Sequence, residues 1–211
     1  MCRSDVVKER NYEDLSVRLI IKGDTYEPSD DTYMIMDAIK SHPRARIALD
    51  IGCGSGVLSI VIARKGTVAL CVDISPCAVE SALSTARNNR IESLVDIVQC
   101  DSATCLRSDS VDLVVSNPPY LPVREHHLDE GISWSGGVDG IEIPLRFLTE
   151  GMRVCKSNCT IVFVVSSLQK FEALFNELAR VCRDVLIEWR TRFFFERLGL
   201  IIAKGCKSGE A

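Results

Sequence analysis

Residues 47–57 read IALDIGCGSGV: a short strand pattern ending in Asp50, a turn holding Gly52, Gly54 and Gly56, and the start of the apolar run 57–63. A buried strand that passes through a glycine-rich turn into a helix is the opening unit of a nucleotide-binding sheet. Glycines there let the backbone turn sharply and approach a ligand without a Cβ in the way. The same alternation recurs on either side. Near-continuous apolar runs at 68–73, 95–100, 111–116, 160–165, 185–191 and 198–203 suit strands covered on both faces. Helical patterns lie between them. Ser75-Pro76 is a cap followed by proline, with Ala78, Val79, Ala82, Leu83 and Ala86 on one face. Phe171, Leu174, Phe175 and Leu178 form a second stripe, and Ser29 is placed to cap a helix that turns Met34, Ile35, Ala38 and Ile39 inward. Strand and helix in alternation predict a doubly wound parallel α/β sheet.

The last two runs modify that expectation. Only six residues, 192–197, separate the run ending at Thr191 from the one starting at Leu198. A parallel crossover needs about a dozen residues or more, so these strands must form a hairpin. The expected fold is therefore a seven-stranded mixed sheet with one antiparallel strand in a C-terminal hairpin. This architecture resembles that of the class I S-adenosylmethionine methyltransferases.

Composition narrows the field further. The chain has 211 residues, 46% of them hydrophobic, and 25 Lys+Arg against 29 Asp+Glu give a net charge of −4. Such a chain folds as one domain and is neither disordered nor collagen-like. The charge argues against broad electrostatic capture of nucleic acid or an anionic membrane. The apolar runs are too short to span a bilayer, and residues 1–15 show no secretory pattern. A soluble, cytoplasmic protein, with a nuclear pool allowed, is the expectation. The ten cysteines form no CxxC pair and stand at no zinc-ligand spacing. Buried, reduced thiols and no bound metal are expected from compartment logic.

Two motifs carry chemistry. The third glycine follows the second by two residues rather than three, and Asp50 stands just before the first. A carboxylate there repels a pyrophosphate but suits the cationic sulfonium or amino group of S-adenosylmethionine. Asp73 ends the next strand, where a carboxylate can accept two ribose hydroxyls. Asp101 follows the third, placed for an adenine amino group. The run 111–116 then leads into Asn117-Pro118-Pro119-Tyr120. A planar NH2 group on sp² carbon is a poor nucleophile. Two acceptors, the Asn117 side-chain oxygen and the Pro118 carbonyl, can each take one N–H and aim the nitrogen lone pair at a methyl carbon. Tyr120 offers a flat face to a planar acceptor.

With these motifs, Val72-Asp73-Ile74, residues 26–32 (YEPSDDT) and residues 134–140 (WSGGVDG), the chain resembles the HemK-type glutamine-N5 methyltransferases of translation release factors. The resemblance runs from Tyr26 to about Lys204 and is to the short eukaryotic and archaeal branch, dividing the chain into an N-terminal extension, 1–25, and a methyltransferase domain, 26–211. It implies S-adenosylmethionine contacts from Tyr26, Pro28, Thr32, Asp50, Gly52, Gly54, Asp73, Ile74, Asp101, Ser102 and Asn117. S-adenosylhomocysteine would be the product. Catalysis is implied for Asn117, Pro118 and Tyr120, and acceptor contacts for these and Pro119. It further implies the Gly-Gly-Gln glutamine of a class 1 termination factor as acceptor. A small zinc-binding activator is the implied partner, expected on the edge strand 95–100, where Val95, Ile97, Val98 and Cys100 are apolar and no Lys or Pro blunts pairing. The zinc would belong to that partner. Ile141 departs from the Arg that short-branch relatives often carry. His126 and His127 read as part of a solvated loop rather than as a base, and Phe193-Phe194-Phe195 as a core or interface plug. Amino methylation of a nucleic-acid base and a non-catalytic nucleotide-binding module remain the alternatives.

Overall fold

The computed structural model describes residues 2, 7–12, 17–122, 135–137, 139–192 and 194–207. Seven strands form the main sheet: β3 (Ile47–Ile51), β4 (Val68–Asp73), β5 (Val95–Gln99), β6 (Val111–Ser116), β7 (Cys155–Ser166), β8 (Cys182–Arg192) and β9 (Arg197–Cys206). Their order is β5-β4-β3-β6-β7-β9-β8. Pairings among β3 to β7 are parallel, whereas β9 runs antiparallel to both β7 and β8. The expected reversed strand is thus β9, and every expected strand is present with ends shifted by a few residues.

Helices α1 (Asp30–Ser41), α2 (Val57–Arg64) and α3 (Pro76–Asn88) cover one face of the sheet. Helices α4 (Glu142–Val154) and α5 (Glu172–Val181) cover the other. This two-sided cover is why β3, β6 and the second half of β7 are apolar almost without a break. Seven of the eight residues of α2 are buried, because it lies between α1 and the sheet. Ser75 caps α3 as expected, its side chain accepting from the Ala78 N–H. Ser29 holds the N-cap position of α1 but makes no side-chain cap bond. The Thr32 N–H goes instead to Asp31 Oδ1 at 2.6 Å.

Two features depart from the sequence reading. Residues 7–22 contain a hairpin, β1 (Val7–Tyr12) and β2 (Val17–Lys22), paired antiparallel. Val17, Leu19 and Ile21 of β2 enter the core beside α3. Ser81, Thr85 and Asn89 take the amides of Lys22, Ile20 and Arg18. These polar side chains recur every fourth residue, so they form a row along the helix that pairs a strand edge. The second departure concerns the cysteines. The expected reduced thiols are instead paired in five disulfides: Cys2–Cys77, Cys53–Cys71, Cys100–Cys105, Cys155–Cys159 and Cys182–Cys206. Spacing hides this, since the partners meet across strands and turns with Cα atoms 3.8–6.1 Å apart. No described helix is long and apolar enough to cross a membrane.

Candidate active site

Strand order reverses between β3 and β6, and a crevice opens beyond their carboxyl ends, where open α/β sheets bind ligands. It holds a cavity of about 810 Å³, within the size range of cofactor sites. One wall is the glycine turn after β3. Gly56 has φ +78°, and a Cβ there would stand 2.9 Å from that of Ala82, so the turn packs directly on α3. A Cβ on Gly54 would meet only Thr25, at 3.9 Å, which leaves its cavity side open to a ligand.

Asp73, at the end of β4, faces this wall. Its Oδ2 accepts the Gly54 N–H at 3.0 Å and its Oδ1 the Ser75 N–H at 2.9 Å. Each oxygen keeps a lone pair for a hydroxyl. Burial raises the Asp73 carboxyl above its usual range, and the backbone N–H bonds offset part of that. Asp101 also lines the cavity and is ion-paired with Arg146 of α4. Asp50 does not line it. This carboxylate lies fully buried beneath the turn, with Oδ2 accepting from the Ser59 N–H and hydroxyl and Oδ1 without a partner. Burial pushes its pKa up to about 7. Ser102 is likewise buried off the cavity, donating to Asp101 Oδ1. Asp50 and Ser102, expected as donor contacts, thus stand behind the cavity lining, one beneath the glycine turn and the other beside Asp101. The other expected residues, Tyr26, Pro28, Thr32, Gly52, Gly54, Asp73, Ile74, Asp101 and Asn117 to Tyr120, share the cavity.

The opposite wall is Asn117-Pro118-Pro119-Tyr120, following β6. Asn117 Nδ2 donates to Thr32 Oγ1 at 3.2 Å, which fixes the amide. Its Oδ1 is buried and accepts from no partner. Tyr120 donates its hydroxyl to Asp31 Oδ2 at 3.1 Å, and Tyr26 donates to the same carboxylate. Burial, then Asp31, drives both phenol pKa values up, so both remain donors at neutral pH. Asp31 is 4% exposed and joins the two ends of the tetrapeptide, to Tyr120 directly and to Asn117 through Thr32. The 26–32 motif alone gives Asp31 no role; docking of α1 against the tetrapeptide supplies one. Arg146 and Phe147 also line the cavity, with no signal in the sequence.

The family model for the methyltransferase small domain matches residues 29–190. The chain belongs to that methyltransferase family, and to its HemK type. The chain is 30% identical over 191 residues to a putative protein N5-glutamine methyltransferase of Methanocaldococcus jannaschii, covering 89% of this chain and 95% of that protein. It is 36% identical over 138 residues to methyltransferase HEMK2 of Homo sapiens, covering 59% of this chain and 64% of that one. Among solved structures, the E. cuniculi Mtq2–Trm112 complex, described as responsible for methylation of the eRF1 termination factor, aligns with TM-score 0.62 at 24% identity. It covers 86% of this chain and 99% of that one. M. jannaschii TYW2 in complex with AdoMet aligns at 0.67 and 12% identity over 95% and 86%. Both likenesses are of fold.

Within this HemK-type site, residues 135–137 lie beside the tetrapeptide: Gly136 donates to Leu121 O at 3.0 Å. Where Ile141 replaces an expected Arg, Glu142 holds the segment, accepting from the Asp139 and Ile141 N–H groups. Trp134, Val138, His126, His127 and Phe193 lie outside the described residues. Phe194 and Phe195 are almost fully exposed, so these two rings plug no core of this chain.

Proposed function

We propose that this chain transfers a methyl group from S-adenosylmethionine to the side-chain amide nitrogen of the Gly-Gly-Gln glutamine in a class 1 translation termination factor. The observation that carries the reading is the buried, unpartnered Oδ1 of Asn117, whose amide is locked by Thr32. An unpaired buried acceptor is costly unless a ligand N–H completes it. Asn117 Oδ1 and the Pro118 carbonyl take the two amide N–H bonds and turn the nitrogen lone pair toward the donor wall. Tyr120, held by Asp31, keeps its ring in place beside the acceptor plane. When bound, S-adenosylmethionine supplies a methyl carbon on a sulfonium and departs as S-adenosylhomocysteine. Gly54 offers open space for the donor, Asp73 offers acceptors for its ribose, and Asp101 offers one for its adenine. Loss of the amide proton follows attack, so no strong base is required of the site.

The relatives' names support the acceptor class, and its place of action is the cytoplasm. A small zinc-binding activator is the proposed partner, on the edge of β5. That strand ends the sheet and contains neither Lys nor Pro. The apolar edge is narrower than the sequence suggests: Val95 and Cys100 are buried and Ile97 is packed on the core, leaving Val98 40% exposed. Incubation with labelled donor and a termination factor, DNA or RNA tests the function. Label on the factor, lost on Gln→Asn in its Gly-Gly-Gln motif and in Asn117→Ala, is the expected result. Label on nucleic acid alone would overturn it.

A further inference from the structure

The β8–β9 hairpin turns through residues 193–196, which read FFFE. Hairpin loops favour glycine, asparagine, aspartate and serine, and no turn conformation calls for aromatic rings. Phe194 is 99% exposed and Phe195 88%, with ring centroids 6.0 Å apart, so the pair stands in water. The hairpin lies at the same end of the sheet as the acceptor wall. β7 runs parallel to β6 and ends at Ser166, and β9 begins beside that end, with Leu198 opposite Ser166. In the order β6-β7-β9, the start of β9 stands two strand spacings, about 10 Å, across from the strand that leads into Asn117. A chain of contacts bridges the gap. The Ser167 N–H donates to Arg197 O, and the Arg197 N–H to Ser167 Oγ, both at 2.9 Å. Glu196 Oε1 accepts from the Ser166 hydroxyl at 2.6 Å, and its charge helps to raise the Tyr120 phenol. Gln169 backs the acceptor wall: a Cβ on Gly140 would stand 2.5 Å from Tyr120 O and 3.2 Å from Gln169 Cβ. Leu168, between Ser167 and Gln169, is 47% exposed.

We propose that Leu168, Phe194 and Phe195 dock the body of the acceptor protein beside the loop that presents its glutamine; the proposal rests on a termination factor being the acceptor. The cavity admits a side chain, but that side chain arrives on a folded protein too large to enter. Surface flanking the acceptor wall must then meet the rest of it, and this apolar surface is continuous with that wall. Large apolar side chains exposed together beside a binding site mark an interaction surface. Aromatic rings also offer much contact area for little conformational entropy. The activator proposed above does not cover them, because β5 and β8 are opposite ends of the sheet, six spacings or about 30 Å apart. Arg192 and Arg197 flank the rings, as they would for nucleic acid or a lipid surface. Arg197, however, lies over the Trp189 ring at 4.7 Å, and the chain carries a net charge of −4. Docking remote from the reacting atoms holds ground state and transition state equally, so it lowers KM and leaves kcat unchanged.

The test measures methyl transfer by the full chain and by Phe194→Ser/Phe195→Ser, with labelled S-adenosylmethionine and two acceptors. One acceptor is the whole termination factor, the other a short peptide carrying Gly-Gly-Gln. Loss of an aromatic anchor predicts a KM for the whole factor raised at least about tenfold. Its kcat should stay within about twofold, as should donor affinity by calorimetry and kcat/KM on the peptide. Leu168→Ser should raise the same KM by a smaller factor. An unchanged KM for the whole factor would overturn the docking surface while leaving the methyl-transfer reading intact. An equal loss on the peptide would also overturn it, since the substitution would then act through the cavity. So would an unchanged KM with loss of flotation on anionic phosphatidylserine vesicles or of binding to single-stranded RNA, which would assign the rings to a membrane or to nucleic acid. A parent chain that labels neither factor nor peptide would instead overturn the proposed function itself.

Discussion

Asp50→Asn should flatten the dependence of stability on pH. Burial raises the Asp50 carboxyl from 3.8 to about 7 in the folded chain, while the unfolded chain titrates near the lower value. Between those two pH values the folded state holds a proton that the unfolded state has lost. Stability contributed by this group is therefore complete below the unfolded value and is lost as pH rises toward 7. With those two pKa values, at 1.36 kcal/mol per unit, the loss between pH 4.5 and pH 8 reaches about 3 kcal/mol. Asparagine keeps the acceptor that Ser59 uses and is neutral throughout, so its chain lacks this loss. Asp73 is also raised and gives a slope of the same sign in both chains; it adds to the rise of Asp50, as the smallest of the causes named for that group, so its own slope cancels only to first order. Urea denaturation at half-unit pH steps measures the quantity directly. The free-energy difference, variant minus parent, should rise by about 3 kcal/mol from pH 4.5 to 8. A difference that does not change with pH would mean that Asp50 is already ionised in the fold, and the burial argument would fail.

Asp73→Ala should weaken S-adenosylmethionine binding by about 10–100-fold in calorimetry, from two charge-assisted hydrogen bonds partly replaced by water. Thr32→Val should lower turnover by about tenfold or more, because it frees the Asn117 amide to rotate; unchanged kcat on the true acceptor would contradict this. Gly56→Ala should destabilise the chain by about 1–3 kcal/mol in urea unfolding, since φ is +78° and the new Cβ meets Ala82. Val98→Lys should reduce co-purification with a co-expressed activator; retention at the parent level would move the docking surface away from β5.

Much of this was legible from local pattern. The βα unit at 47–63 shows in a glycine turn and an apolar helix, because backbone freedom and burial leave direct marks on residue type. The reversed β9 follows from the six residues 192–197, because chain length limits which connections can be made. Asn117 to Tyr120 point to an acceptor site through their residue types taken together with the glycine turn that precedes them in the sheet. The β1–β2 hairpin left no comparable mark: two strands cannot stand unaided, and what steadies β2 is a polar row on α3, some sixty to seventy residues away.

Tertiary structure also decided what the acids do. Asp50, Asp73 and Asp101 end strands in the same way in sequence, yet only the last two line the cavity, while Asp50 lies under the turn against Ser59. Asp31 is one acid among several in its motif until α1 brings it against both Tyr26 and Tyr120. The cysteines carry the same lesson. Their spacing is uninformative because a disulfide depends on two Cβ atoms meeting in space, which strand order and turn geometry settle and linear separation does not. The sequence by itself thus determined the fold class and the chemistry of the two motifs, both set by local backbone and side-chain properties. Which carboxylates face the ligand, and which sulfurs pair, required the packing of elements distant along the chain.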